Sequence, residues 1–380
     1  MAYDESNIRT LSSIEHIRQR PGMYIGRLGN GSHPEDGIYI LLKEVIDNSI
    51  DEFMEGNGSK IIVTLDGQKC TVRDYGRGIP LNKLIECVSV INTGAKYDNE
   101  AFQYSVGLNG VGTKAVNALS SYFEITSWRE GEYMNAVFER GELVHKEKGK
   151  GEEPNGTFVS FIPDDDPAIF GKYTYNEDYI KERLWNYAYL NKGLIISFNG
   201  KTIKSAGGLM DLVKKILGDD GLYPLINYKS RNLEFSFTHT NGYGESYHSY
   251  VNGQYTSDGG THEAAFKEGV LKGINEYFHK SWAAPEIRDG IVATVAIKVM
   301  NPVFESQTKN KLGNTDVRAW IVPEVKAAVI DVLMKNKEIA KGLEEKILSN
   351  EKVHKEEAAV RNGAKEKAKR VAINIPKLKE

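Results

Sequence analysis

Cysteine is nearly absent: Cys70 and Cys87 are the only thiols in 380 residues. Two thiols cannot complete a four-cysteine zinc site, and nothing about them suggests a secreted, disulfide-built domain. Long apolar runs are missing as well, since no stretch of about 18 apolar residues could span a bilayer. The opening Met1-Ala-Tyr-Asp-Glu-Ser6 is polar and lacks the hydrophobic core of a signal peptide. Charge of one sign is also absent: 49 Lys+Arg stand against 52 Asp+Glu, for a net of −3. A global basic footprint for nucleic acid is therefore excluded, and any DNA contact must be local or indirect. These absences predict a soluble, reduced, cytoplasmic protein with no membrane partner. Internal repeats and low-complexity tracts are missing too.

What is present is enough chain for two cores and many well-placed glycines. The stretch Glu44-Val-Ile-Asp-Asn-Ser-Ile-Asp-Glu52 lies where Ile38, Leu41, Leu42, Val45, Ile46, Ile50 and Phe53 recur at helical spacing. Glu44, Asn48, Asp51 and Glu55 share the opposite stripe. By itself such a stripe is usually just a wet face. Pro34 is the predicted helix opener, and Gly56-Asn-Gly58 the predicted stop.

Strands are predicted over 60–65 and 69–74, joined at Asp66-Gly67. The second runs into Asp74-Tyr-Gly-Arg-Gly-Ile-Pro80, where two glycines permit a sharp bend or a close approach to something flat. A helix follows around 81–91. A polar loop over 95–108 then ends in Gly107-Leu-Asn-Gly-Val-Gly112 before a helix over 113–120. Backbone amides at a helix N-terminus suit phosphate, although G-x-x-G-x-G is neither the dinucleotide fingerprint nor a Walker A sequence. A flexible loop before a helix remains the plainer alternative. Strands at 122–129, 133–139, 142–146 and 156–163, a helix over 175–190, a strand at 194–198 and a helix over 209–217 complete a layered domain with a largely antiparallel sheet.

Gly218-Asp-Asp-Gly221 is the predicted boundary, giving domains 1–221, 222–345 and a C-terminal helix over 346–380. In the second, strands are expected at 233–238 and 245–251. A helix opens at Asp258-Gly-Gly-Thr-His262, and 290–299 reads as a buried strand of the parallel, crossover-connected sort. A loop with Gln307-Thr-Lys309 precedes a helical, increasingly charged remainder. Its basic end (Lys365, Lys367, Lys369, Arg370) reads either as a DNA-facing surface or as a solvated helix.

Taken in order, Arg18–Gly26, Glu44–Glu52, Asp74–Pro80, Gly107–Gly112 with Asn117-Ala-Leu-Ser120, Gly156–Pro163, Asp258–His262 and Gln307–Lys309 resemble the ATPase region of type II DNA topoisomerase B subunits. These are bacterial gyrase B and its topoisomerase IV equivalent. The resemblance implies an α+β chain: a GHKL (Bergerat) ATP-binding domain followed by a transducer of ribosomal-protein-S5-like topology. It implies ATP and Mg²⁺, with Glu44 as the general base on water, Asn48 as the magnesium ligand, and Lys309 and Gln307 at the γ-phosphate. It places Asp74 on the adenine amino group with Thr157 beside it, and Gly78, Ile79 and Pro80 along the base. Arg77 and Arg129 lie at the mouth, where aminocoumarin inhibitors bind.

Gly107, Leu108, Asn109, Gly110, Val111 and Gly112 would present amides to the phosphates, with Asp51 nearby. Tyr3, on an arm to Arg9, would close over the nucleotide of a second copy, and Phe102 takes a family tyrosine position. The chain departs from the common G-G-L-H-G-V-G pattern at Val106 and Asn109, which leaves backbone contacts but no histidine. The implied partners are a second copy, a topoisomerase A subunit in a heterotetramer, and double-stranded DNA. A chain ending here is expected neither to cut nor to supercoil DNA. Other GHKL ATPases (repair clamps, chaperones, kinases) are disfavoured by the Asp258–His262 and Gln307–Lys309 segments. A non-hydrolysing binding module stays open, and a phosphate-release assay separates it.

Overall fold

A computed structural model describes residues 10–94, 110–306 and 308–373. The first helices are α1 (Ser13–Gln19), started by a Ser12/Glu15 capping box, and α2 (Gly22–Ile25). Then comes α3 (Gly37–Met54). Its N-cap is Asp36 rather than Pro34. The Asp36 carboxylate accepts from the amides of Gly31 (2.9 Å) and His33 (3.2 Å) and pairs with Arg27 at 2.7 Å, so the turn before the helix is what it organises. The predicted stop is observed, with Gly56 and Gly58 both in the left-handed region.

The hairpin β1 (Lys60–Asp66) and β2 (Lys69–Asp74) follows, then a 3-10 turn and α4 (Leu84–Ser89), and α5 (Gly112–Ala118). Next come β3 (Ser120–Arg129), β4 (Glu132–Glu139), β5 (Glu142–Lys150), β6 (Gly156–Pro163), α6 (Glu177–Leu190), β7 (Ile195–Phe198), β8 (Lys201–Ile203) and α7 (Leu209–Leu217). The eight strands form one sheet of order β5-β4-β3-β6-β2-β1-β7-β8. All its named pairings are antiparallel except β1 with β7. The α+β expectation is met. One face carries α3, whose Ile38, Leu41, Leu42, Val45, Ile46 and Ile50 join Val63, Val72, Phe123, Val159 and Phe161 in the main core.

The later elements are β9 (Ile226–Lys229), β10 (Leu233–His239), β11 (Ser246–Val251), β12 (Gln254–Tyr255), α8 (Thr261–Phe278), α9 (Ala284–Arg288), β13 (Ile291–Ile297), α10 (Val317–Lys335) and α11 (Lys337–Ile373). The short β9, β12 and α9 are not marked by any period in the sequence. The second sheet runs β12-β11-β13-β10-β9. By contacts, residues 1–212, 250–258 and 296–314 group as one unit and 213–249, 259–295 and 315–380 as another. Within the second unit, α8 lies close on α10. A Cβ on Gly269 would sit 2.7 Å from Val325 Cβ, and one on Gly273 3.0 Å from the Lys326 carbonyl.

Candidate active site

The site is built on α3, and that helix is not amphipathic in the ordinary way. Glu44, Asp47 and Asp51 are buried along with the apolar stripe, and so are Lys43 and Ser49. Burying so many carboxylates is stable only if cations and donors meet them. The structure supplies them. Lys43 Nζ donates to Asp47 Oδ2 at 2.5 Å, one turn along the same helix, and the Tyr187 hydroxyl of α6 donates to the other Asp47 oxygen. Lys309 Nζ, itself only 5 % exposed, lies 4.0 Å from Glu44 Oε1. Burial alone would lower the lysine's pKa, but Glu44, Asp47 and Asp51 together raise it, so the ammonium stays charged. Asp47 is correspondingly held below the usual carboxylate range despite its burial, by Lys43 and Lys309.

Lys309 is delivered by a loop in the left-handed conformation (φ 60°), with its amide on Ser306. Gly26, at φ 68°, ends the Arg18–Gly26 motif against Thr308, where a Cβ would come within 3.0 Å of Thr308 Cγ2. The motif's Arg18 donates to the Ala118 carbonyl (2.8 Å) and pairs with Asp164 (2.8 Å), tying α1 to the end of α5.

Glu44 also meets the glycine-rich turn. An added Cβ on Gly112 would fall 1.9 Å from Glu44 Oε2, so only glycine admits the carboxylate there. Gly110 is left-handed, and Val111 precedes α5 as its N-cap. Asn48 donates its amide nitrogen to the Glu44 carbonyl (2.9 Å) and to Thr113 Oγ1 (3.0 Å), linking α3 to α5.

At the other end of the site, Asp74 finishes β2. Its Oδ1 accepts from the amides of Gly76 (2.9 Å) and Thr157 (3.2 Å), and Oδ2 accepts from Ser49 Oγ (3.2 Å). Desolvation nevertheless pushes its pKa up, outweighing those bonds. Gly78 (φ 75°) lies against the Trp128 carbonyl, which a Cβ would approach to 2.5 Å, and the Ile79 carbonyl accepts from Ser127 Oγ at 2.8 Å. Pro80 is exposed. Arg77 is fastened by a two-pronged pairing with Glu52, at 3.0 and 2.9 Å, and its amide binds the same carboxylate. Arg129 lies at the exposed end of β3 near Glu130, at 3.6 Å.

The structure thus brings Glu44, Asn48, Asp51, Lys309, Gly112 and Thr113 together, and separately Asp74, Thr157, Arg77, Gly78 and Ile79, the two groups joined through α3. Tyr3, Phe102, Val106, Gly107, Leu108, Asn109 and Gln307 lie outside the described residues. Sequence reasoning left Asp47 and Glu52 without a role and passed over Lys43, Ser49, Arg73 and Tyr187. Lys43–Asp47 had a signal, the i, i+4 spacing; Ser49, Glu52 and Tyr187 pair across many residues of chain, as Arg73 does with Pro154, and had none.

The family model described as histidine kinase-, DNA gyrase B- and HSP90-like ATPase matches residues 33–167, and the one described as DNA gyrase B matches 177–363. The crystal structure of the 43K ATPase domain of Thermus thermophilus gyrase B, in complex with an aminocoumarin, is 30 % identical with a TM-score of 0.72, covering 93 % of this chain and 98 % of that one. The chain belongs to the ATPase region of the type II topoisomerase B-subunit family. The B-type subunit of DNA topoisomerase 4 from Borreliella burgdorferi is 53 % identical over 379 residues, covering 100 % of this chain and 63 % of the relative. The DNA gyrase B polypeptide of Thermus thermophilus is 37 % identical over 382 residues, covering 92 % and 59 %. The chain therefore spans less than two thirds of these topoisomerase polypeptides. Among its described residues, no helix is long and apolar enough to cross a membrane.

Proposed function

We propose that this chain is the ATP-binding and ATP-hydrolysing gate of a type II DNA topoisomerase, of the gyrase B or topoisomerase IV B type. The observation that carries the proposal is the buried Lys309 ammonium beside Glu44, on the same helix that hydrogen-bonds Asp74 through Ser49. One helix thus joins a carboxylate for water, a cation for a terminal phosphate, and an acceptor for a base.

In this reading the adenine amino group donates to Asp74, with Gly78, Ile79 and Pro80 along the base and Arg77 and Arg129 at its mouth. The amides of Gly110, Val111 and Gly112 receive phosphate oxygens at the start of α5, together with Gly107, Leu108 and Asn109. Glu44 accepts a proton from water, the water oxygen attacks the γ-phosphorus, and ADP leaves. Lys309, with Gln307 beside it, donates to the γ-phosphate as charge develops. Asn48 would hold Mg²⁺ through its amide oxygen, a hard donor of the kind magnesium takes one or two of. The bonds of its amide nitrogen to Glu44 and Thr113 fix the side chain in place beside the phosphate-facing turn. Magnesium, when bound, neutralises phosphate charge.

The gate closes as a homodimer, with Tyr3 and Phe102 completing the nucleotide site. It captures a DNA duplex together with a topoisomerase A subunit in a heterotetramer. Hydrolysis resets it. Glu44→Ala is expected to fold and to lose turnover by roughly 10²–10⁴-fold; a folded variant turning over at the wild-type rate would remove the catalytic assignment.

A further inference from the structure

We infer that Arg73 is a positioning residue for base selectivity, holding the Asp74 end of β2 and the entry to β6 in fixed register where the direct ladder between these two strands has ended. The inference rests on the ATP-binding reading above. The backbone ladder between β2 and β6 pairs Cys70 with Phe161, Thr71 with Ser160, Val72 with Val159 and Arg73 with Phe158, and stops there. The next two residues, Asp74 and Thr157, are the ones whose relative position decides how a base is met. Past that rung β2 and β6 no longer pair with each other, although β1 still holds Asp74 through Ile61 and β3 still holds Thr157 through Ser127.

The Arg73 side chain replaces the missing rungs. Its Nη1 donates to the Asp74 carbonyl and its Nη2 to the Pro154 carbonyl at 2.7 Å. The guanidinium lies between two rings, 4.5 Å from the centroid of Tyr75 and 4.4 Å from that of Trp128. Each ring face favours the cation, and the residue is only 9 % exposed. Gly156 is part of the arrangement: a Cβ there would fall 2.2 Å from the Asp74 carbonyl oxygen and 2.3 Å from Arg73 Nη1.

A closed ring results. It runs from the Asp74 carbonyl through Arg73 to Pro154, along the chain to Thr157, and from the Thr157 amide back to Asp74 Oδ1. A lysine could not close it, because a point ammonium lacks the planar fork and the flat faces. Adenine offers Asp74 an amino donor, whereas guanine offers a carbonyl oxygen at the same edge. Rejection of guanine depends on a carboxylate that cannot swing away or admit water, since a fixed buried group left unpaired is what penalises the wrong ligand.

The test compares wild type with Arg73→Gln and Arg73→Lys in the whole chain, measuring melting temperature and kcat and KM for Mg-ATP and Mg-GTP. Both variants are expected to raise the KM for ATP about tenfold, more than they lower kcat, and to shrink the ATP/GTP ratio of kcat/KM by roughly tenfold. A lowered melting temperature with KM and the ratio within about twofold of wild type would make Arg73 merely structural and overturn the inference. If the Arg73 variants do not fold, Trp128→Leu removes one face of the sandwich and is read the same way: a reduced ratio supports the inference, an unchanged one overturns it. Wild type that neither binds nor turns over ATP would instead overturn the proposed function, and this inference with it.

Discussion

Lys309 combines two unfavourable features. It is a lysine in the left-handed backbone region, which costs roughly 1–3 kcal/mol, and it is buried with its charge retained. Both persist because Glu44, Asp47 and Asp51 surround the ammonium. Replacing it by the similarly shaped methionine removes the cation and leaves the carboxylates. Lys309→Met is expected to lose at least about a hundredfold in turnover. Its urea midpoint without nucleotide should also fall, because breaking a buried ion pair from one side costs about 3–5 kcal/mol. Wild-type turnover in this variant would exclude a phosphate contact. Glu44, Asn48, Asp74 and Lys309 were all nameable from motif order, whereas Asp47 was not. Its partners Tyr187 and Lys309 are brought in by α6 and by a distant loop, and neither is visible on a helical wheel.

At the scale of elements, α3 shows where periodicity is informative and where it misleads. The apolar stripe at helical spacing is in the core as expected. The opposing stripe, which on charge alone reads as a wet face, is partly inside: Glu44 and Asp51 are buried, and Asn48 and Glu55 are half-buried. Gly112 is the joint between α3 and α5. It is not left-handed, so alanine fits its backbone as the first residue of α5. The new methyl would occupy the space of the Glu44 carboxylate. Gly112→Ala is therefore expected to lower kcat at least about tenfold and, because a methyl displaces a buried carboxylate, to lower the melting temperature as well. A variant with kcat unchanged would show that the contact between Gly112 and Glu44 carries no catalytic weight. The short elements β9, β12 and α9 escaped the sequence because two to five residues are too few to display a period, even though β9 and β12 pair with their chain neighbours β10 and β11.

At the scale of the whole molecule, a clamp that closes as a pair has a concentration-dependent rate. Turnover per chain is expected to rise with protein concentration and then level off. Strict proportionality between rate and concentration down to dilute protein would contradict closure as a dimer. Acid stability follows from the second unit. His239 Nδ1 lies 2.5 Å from the Tyr223 hydroxyl and its Nε2 donates to the Ile287 carbonyl at 2.7 Å, and burial lowers its pKa to about 4. Burial also lowers that of His262 to about 3. Above about pH 6.5 both states hold neutral rings and neither histidine matters. Below it the unfolded chain takes up protons that the folded one refuses, so stability falls from about pH 6.5 down to about pH 4. Urea midpoints at pH 7 and pH 5 check this; a midpoint that does not drop, or drops equally in His239→Gln, would discount the histidine.

The order of motifs along the chain was sufficient to determine the family, the α+β class, the helix that carries the site and most of the residues proposed to meet the nucleotide. Those properties rest on local spacing and on backbone glycines, and both are written in one dimension. Tertiary structure alone decided that Glu44, Asp47 and Asp51 of α3 are buried beside lysines, that Glu52 is the partner of Arg77, and that Arg73 closes the gap where β2 and β6 part. Each of these depends on the pairing of groups brought from separate elements, and a buried charge takes its meaning from whatever partner the fold places beside it.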